Sequence, residues 1–230
     1  MPKRRITVNI LTAAVIASVC AYTFANPQSV NYTLASTAVC LLILSDLFSG
    51  FENRSTRAKD VMPVAVMCTC ASAGRVLFSF IPQIQPVTVI IMVMGVCFGG
   101  YTGFITGALS ALISNMILGQ GPWTIWQMLG WGMTGLICGM LKNRKISDNI
   151  FFMAVLSFVM AFIYGLITDT WTISFISQDG LSTGLILGVY SASMLFNFIH
   201  GAGNIVFCLL LYKPLKAKLI RIRNKYGVNE

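Results

Sequence analysis

Asn115, Trp123, Gln127 and Trp131 stand around the short loop Gly119-Gln-Gly-Pro122, in a chain otherwise dominated by aliphatic residues. Amides both donate and accept hydrogen bonds, and an indole offers a flat apolar face with one N–H donor. Such a set recognises a ring system; it neither shuttles protons nor attacks a carbonyl. Trp123, Gln127 and Trp131 repeat at i+4 and therefore share one helical face. Pro122 suits the start of that helix, and Gly119 and Gly121 let the loop approach a ligand closely. Trp123 and Trp126 also sit where interfacial aromatic belts lie, so ligand and lipid headgroups are both open as their partners.

Other polar groups interrupt apolar runs. Arg75 lies about two turns from the end of one of them, and an intramembrane Arg is costly enough to suggest function; snorkelling to the interface is the alternative. Asn197, His200 and Asn204 fall at i, i+3 and i+7, one polar face flanked by Gly201 and Gly203. That face points into a bundle, where His200 either makes an interhelical hydrogen bond or touches a ligand. Asp169 and Trp171 follow another apolar run, and either cap a site or form an ordinary helix end.

Catalytic and metal chemistry finds no footing. The chain carries no Walker A lysine loop, no HExxH and no GxSxG. Its single histidine rules out a multi-histidine metal site, and none of its seven cysteines is spaced C-x-x-C. The cysteines read as small buried hydrophobes. No cofactor is implied.

The elements that position these groups follow from composition. Of 230 residues, 56% are hydrophobic and 10% charged, with a mean hydropathy of +0.78; soluble domains carry about 25% charged residues. Long apolar runs without period-2 alternation read as transmembrane helices. Eight runs are expected, at about 6–25, 30–48, 61–80, 86–99, 103–118, 123–141, 149–168 and 184–212. The basic start Lys3-Arg4-Arg5 before the first run also fits a signal peptide, with a poor cleavage site at Thr23-Phe24-Ala25; a retained helix is the preferred reading. With both termini cytoplasmic, fifteen of the sixteen Lys and Arg residues fall on the inside, at the N-terminus, the 50–60 linker, the 142–148 loop and the tail. Arg75 is the sixteenth. This partition explains the net charge of +9 without nucleic acid. It places the loops 81–86, 119–122 and 169–183 outside. Because the turn at Gly99-Gly100 is uncharged, a re-entrant pair over 86–118 fits equally well. Gly99, Gly103, Gly107 and Ala111 form an i+4 stripe that lets helices approach closely and continues to Asn115; Gly135 and Gly139 form a second.

Residues 58–141 resemble the substrate-binding S component of energy-coupling-factor (ECF) vitamin transporters. The resemblance rests on Ala73-Gly-Arg-Val-Leu-Phe78, Ile81-Pro-Gln-Ile-Gln-Pro-Val87, Gly103 through Asn115, and Gly119-Gln-Gly-Pro-Trp-Thr-Ile-Trp-Gln-Met-Leu-Gly-Trp-Gly132. A looser match runs through Tyr164-Gly165 and Asp169-Thr-Trp171. It implies an all-α integral membrane protein with a six-helix core over 58–212, two added N-terminal transmembrane helices over 1–57, and a basic cytoplasmic tail over 213–230. It implies a multi-pass protein of the prokaryotic plasma membrane, joined to a transmembrane T component and two cytoplasmic ATPase subunits, that topples in the bilayer to release its vitamin inward. The three outer loops would cap the substrate, bringing Phe78, Gln83 and Gln120 into the binding set. Ala65, Thr69 and Ala73 would dock the T component; a stricter Ala13, Ala17, Ala21 stripe lies on the first run. The Gly-Gln-Gly-Pro-Trp loop with two extra helices looks most like members associated with cobalamin, and other heterocyclic vitamins suit the same residues.

Two other classes compete. A membrane enzyme would need convergent acids and bases, and only Arg75, Asp169 and His200 are available. A scaffold subunit would use the glycine stripes and leave the outward Asn, Gln, Trp and Arg unexplained.

Overall fold

The computed structural model describes residues 31–52, 58–177 and 181–228. The expected first run, with its alanine stripe and cleavage site, lies outside them, as do residues 53–57 of the linker, 178–180 of the outer loop and the last two residues. Among the described residues are seven α-helices and no strand: α1 (Tyr32–Glu52), α2 (Ala58–Leu77), α3 (Val87–Phe98), α4 (Gly100–Leu118), α5 (Trp123–Gly139), α6 (Ile150–Ile176) and α7 (Thr183–Tyr226), with a 3-10 turn at Lys145–Asp148. Four of them are long and apolar enough to cross a membrane: Asp60–Leu77, Gly100–Leu118, Ile150–Ile176 and Thr183–Tyr226. The fold is the all-α integral membrane class that the composition demands.

The bundle is organised around α3, whose twelve residues are all buried. At 1.5 Å per residue it is roughly 18 Å long, too short for a hydrocarbon core of about 30 Å. It ends at Gly99, where φ is 101°, a backbone that glycine adopts without strain. The 86–118 stretch is therefore a short central helix followed by one spanning helix, rather than two full spans.

Helix α4 carries two stripes on adjacent faces. The glycine stripe packs backbone on backbone: a Cβ at Gly103 would stand 2.6 Å from the Gly135 carbonyl oxygen and 2.7 Å from Gly95 Cα, and one at Gly107 would stand 2.3 Å from the Trp131 oxygen. The second stripe is Thr102, Thr106, Ser110 and Ser114, all buried. Thr106, Ser110 and Ser114 each donate a hydroxyl to the carbonyl four residues back, at 2.8, 2.6 and 2.6 Å. The carbonyls along this stripe also receive α2, through Cys68 Sγ to the Thr106 oxygen at 3.4 Å and Ser72 Oγ to the Ser110 oxygen at 3.2 Å. In lipid, where apolar contact alone does not favour helix over tail, close approach and such hydrogen bonds hold helices together.

Helix ends differ from the expected ones for local reasons. Helix α2 stops at Leu77, five residues before Pro82. Helix α6 continues through Asp169 and Trp171 to Ile176, because Thr170 and Ser174 return their hydroxyls to Leu166 and Thr170 carbonyls at 2.9 and 2.7 Å instead of competing for the backbone. Helix α7 does not end at Tyr212: 44 residues run to Tyr226, where Gly227 caps it in the left-handed region. At roughly 66 Å it outreaches the bilayer, so the basic segment from Lys213 is mainly a helical extension, not a loose tail. Helix α1 packs on the flank through Phe48 edge-on to Phe104 at 5.9 Å and Cys40 Sγ to the Ile125 oxygen at 3.6 Å. Five described cysteines are buried; Cys70 is exposed on α2.

Candidate functional site

The hydroxyl stripe of α4 terminates in a charge. Arg75 Nη1 donates to Ser114 Oγ at 2.6 Å and to Asn115 Oδ1, and Nη2 donates to Gln127 Oε1 at 3.5 Å. Asn115 Nδ2 then donates to Gln127 Oε1 at 2.7 Å and to Thr124 Oγ1 at 2.8 Å. Three helices, α2, α4 and α5, thus meet in one polar knot. Arg75 is only 9% exposed, so it does not snorkel to the interface. Its guanidinium lies 4.8 Å from the centre of the Trp131 ring, a cation–π contact worth more when desolvated. Every hydrogen-bond acceptor of this buried cation is neutral.

On the far side of Trp131 the aromatic series continues. Tyr164 stacks on Trp131 with centroids 4.6 Å apart, and His200 meets Tyr164 edge-on at 5.5 Å. His200 Nε2 hydrogen-bonds Thr88 Oγ1 of α3 at 3.1 Å, the interhelical bond that its position suggests. Two glycines make room: a Cβ at Gly130 would sit 2.7 Å from the Tyr164 ring, and one at Gly165 2.2 Å from Asn197 Oδ1. Asn197 Nδ2 donates to Ser193 Oγ at 3.4 Å, and Ser193 donates to Asp169 Oδ2.

These groups surround a cavity of about 360 Å³ between α2, α5, α6, α7 and the 78–86 loop. Of the residues expected at a site, Arg75, Gln83, Trp123, Gln127, Trp131, Asp169, Trp171, Asn197 and His200 line it. Three do not. Asn115 stands behind Arg75 and Gln127 and orients both. Gln120 turns back to the Leu112 carbonyl at 3.2 Å and accepts from Thr124 at 2.9 Å. Phe78 packs edge-on against Phe207 at 5.2 Å, outside the lining. Gln83 holds φ at 64°, a conformation rare for residues with a side chain and often found at functional loops.

The lining also includes Trp126, whose partner the sequence left open between ligand and lipid, Gln85 and Tyr164, which carried the resemblance without an assigned role, and Thr168, Thr172, Ser193 and Phe196, which sequence patterns did not single out. Trp126 is 6% exposed and Trp123 43% exposed; both reach the cavity, and only Trp123 also has substantial exposed surface. The indole N–H groups of Trp126 and Trp131 and the Nε of Arg75 are buried with no acceptor in the protein. Buried donors are normally satisfied, so three orphan N–H groups on residues that also line the cavity stand out. No group of three or more His, Cys, Asp or Glu residues that could hold a metal occurs among the described residues. A second hollow of about 680 Å³, largely apolar, adjoins the cavity and shares Asp169, Thr172, Ser193 and Phe196 with it.

Known proteins resemble part of this chain. A UPF0397 protein of Aliivibrio salmonicida is 27% identical over 102 residues, 41% of this chain and 55% of that protein. A UPF0397 protein of Vibrio atlanticus is 27% identical over 96 residues, 38% of this chain and 52% of that protein. The match thus spans about half the length of these curated relatives. No solved structure matches at comparable stringency. The model of the ECF-type riboflavin transporter S component matches residues 55–217, which take in the whole cavity and more than half of the sequence, and the chain belongs to that family.

Proposed function

We propose that this protein is the membrane-embedded substrate-binding subunit of an ECF-type transporter and that it captures a heterocyclic vitamin from the outer face. The observation that carries the reading is Arg75, a buried cation with neutral partners, laid over an indole in a cavity walled by amides and aromatic rings. A planar heterocycle bearing carbonyl and ring-nitrogen acceptors would stack on the aromatic rings of this wall and hydrogen-bond its amides. Most small-molecule sites measure roughly 300–1,000 Å³, and 360 Å³ suits a single fused-ring ligand. The family is the riboflavin type, and flavin is the first ligand to test.

An enzymatic role fits less well. His200 Nε2 is bonded to Thr88 and Asp169 Oδ2 to Ser193, and the family that matches is that of a transporter component.

The corrinoid suggested by the Gly119–Trp123 loop gets no support from the riboflavin-type family and overfills the polar cavity. The adjoining 680 Å³ hollow is what favours it as a second reading. Gly188 separates the two. A Cβ there meets nothing within 4 Å, so Gly188→Leu projects a bulky side chain from the wall of the hollow with no clash at its Cβ. It should leave flavin binding unchanged and abolish corrinoid binding. Mass spectrometry of ligand released from the purified protein, followed by titration of the ligand found, tests both. A tightly retained molecule with no ring system would sink the reading.

The energy would come from partners, a T component and two cytoplasmic ATPases, since the chain has no phosphate-binding loop. Ala65, Thr69 and Ala73 are all exposed on one face of α2, and Thr69 turns its hydroxyl inward to the Ala65 carbonyl at 3.0 Å. This leaves a smooth surface for a partner helix. The double substitution Ala65→Leu with Ala73→Leu should reduce co-purification of the T component several-fold while ligand retention stays at the wild-type level. Undiminished co-purification would move the docking face elsewhere.

A further inference from the structure

At the opposite end of the bundle a separate cavity of about 200 Å³ opens where α3, the 142–148 loop and α7 converge. Its lining carries four cations, Arg144, Lys145, Lys216 and Arg223, against one carboxylate, Asp148. Some of this charge is already committed. Lys216 Nζ donates to the Ser147 carbonyl, Ser147 Oγ and Asp148 Oδ1 at 2.8, 2.9 and 2.8 Å. Arg223 Nη1 caps the C-terminal end of α3 through the Cys97 carbonyl at 2.9 Å, where the helix dipole favours a cation. Arg144 and Lys145 have no side-chain partner among the described residues. They are the surplus positive charge, held at the rim of a concave site.

The surroundings indicate what kind of anion belongs there. By the positive-inside rule this is the cytoplasmic membrane interface. Leu209 precedes Lys216 by seven residues, two helical turns, on the same face of α7, and it is exposed, as is Ile146 beside Lys145. Exposed apolar side chains therefore stand on the same elements that carry the charged cavity. We propose that this cavity binds a phosphate group, either the phosphodiester of an anionic lipid or free phosphate. Guanidinium and ammonium groups converge on phosphate oxygens with charge-assisted hydrogen bonds, and basic pockets between transmembrane helices on the cytoplasmic side suit lipid headgroups. The size of the cavity matches one headgroup rather than the flat, extended surface of an acidic protein.

The test uses the full chain in lipid nanodiscs and measures thermal unfolding. One arm compares phosphatidylcholine discs with discs containing phosphatidylglycerol; the other adds inorganic phosphate to phosphatidylcholine discs at constant ionic strength. Two variants remove equal charge: Arg144→Gln with Lys145→Gln at the cavity, and Lys218→Gln with Lys225→Gln away from it. The expected result is a rise in Tm with phosphatidylglycerol that the cavity variant loses and the distal variant keeps. A rise confined to the inorganic phosphate arm, again lost only in the cavity variant, supports the same site with a soluble ligand. A rise that both variants lose equally, or that the cavity variant keeps, overturns the proposal. So does no rise in either arm, which would leave these cations to an acidic protein partner.

Discussion

Arg75→Met is expected to weaken vitamin binding by roughly a hundredfold while leaving the protein folded. A hydrogen bond to a charged group contributes about 1.5–3 kcal/mol, and each factor of ten in affinity corresponds to about 1.4 kcal/mol. Losing the guanidinium removes its contact with the ligand and also its hold on Gln127, which Arg75 meets at 3.5 Å. Folding should survive because most groups left behind keep partners: Asn115 still donates to Gln127 at 2.7 Å and to Thr124 at 2.8 Å, and Ser114 to the Ser110 carbonyl at 2.6 Å, with only Asn115 Oδ1 left without a partner. Arg75→Lys keeps the charge and loses the planar fork that reaches Ser114, Asn115 and Gln127 together, so it should fall between wild type and Arg75→Met. Equilibrium binding of the vitamin identified on the wild-type protein gives the affinity, and the unfolding temperature of each variant reports the fold. Wild-type affinity in Arg75→Met would mean that the arginine only ties three helices together.

What the sequence makes legible here is exception rather than pattern. Arg75, Gln127 and His200 stand out because each is a costly group in an apolar helix, and all three line the cavity. The glycine stripe is legible for the converse reason, since only close packing explains glycine every fourth residue in a helix. Residues that look ordinary stay hidden. Ser193 and Thr168 read as unremarkable small polar residues, and Tyr164 as part of a loose match with no role of its own, until α6 and α7 are laid side by side. The Thr102, Thr106, Ser110, Ser114 series was readable by its own i+4 spacing, beside the glycines, and it leads directly to the partner of Arg75. Phe78 shows the opposite limit. It lies three residues from Arg75, but α2 has ended at Leu77, so helical phase no longer predicts its direction, and it turns to Phe207. Helix length failed at α7 because hydropathy cannot mark where a helix leaves the membrane and continues as a basic extension; at α3 the bounds were legible, and only whether it spans was left open by the uncharged Gly99-Gly100 turn.

Cavity and packing are linked through α5, which carries Gln127 and Trp131 on one stretch and Gly135 and Gly139 on the next. The position of the binding wall therefore depends on how closely α5 approaches α4. Gly135→Val should test that dependence with the largest effect on folding. A Cβ at Gly135 would stand 2.2 Å from the Gly103 carbonyl carbon and oxygen and 2.8 Å from Gly103 Cα. All three are backbone atoms, so no side chain can rotate away, and the helices must separate. Ordinary overpacking costs about 1–3 kcal/mol; a clash of backbone with Cβ belongs at the severe end of single substitutions, on the order of 4 kcal/mol. Separation would also draw Trp131 away from Arg75 and break the Asn115–Gln127 bond, so any folded remnant should bind poorly. The expected outcome is aggregation or a collapsed yield on size exclusion in detergent. Gly188→Ala, placed in open space on α7, is the matched control and should behave as wild type. If Gly135→Val elutes as a single species with an unchanged unfolding temperature, then α4 and α5 are not held at backbone distance, and the rigid wall on which the cavity depends must be supported by other contacts.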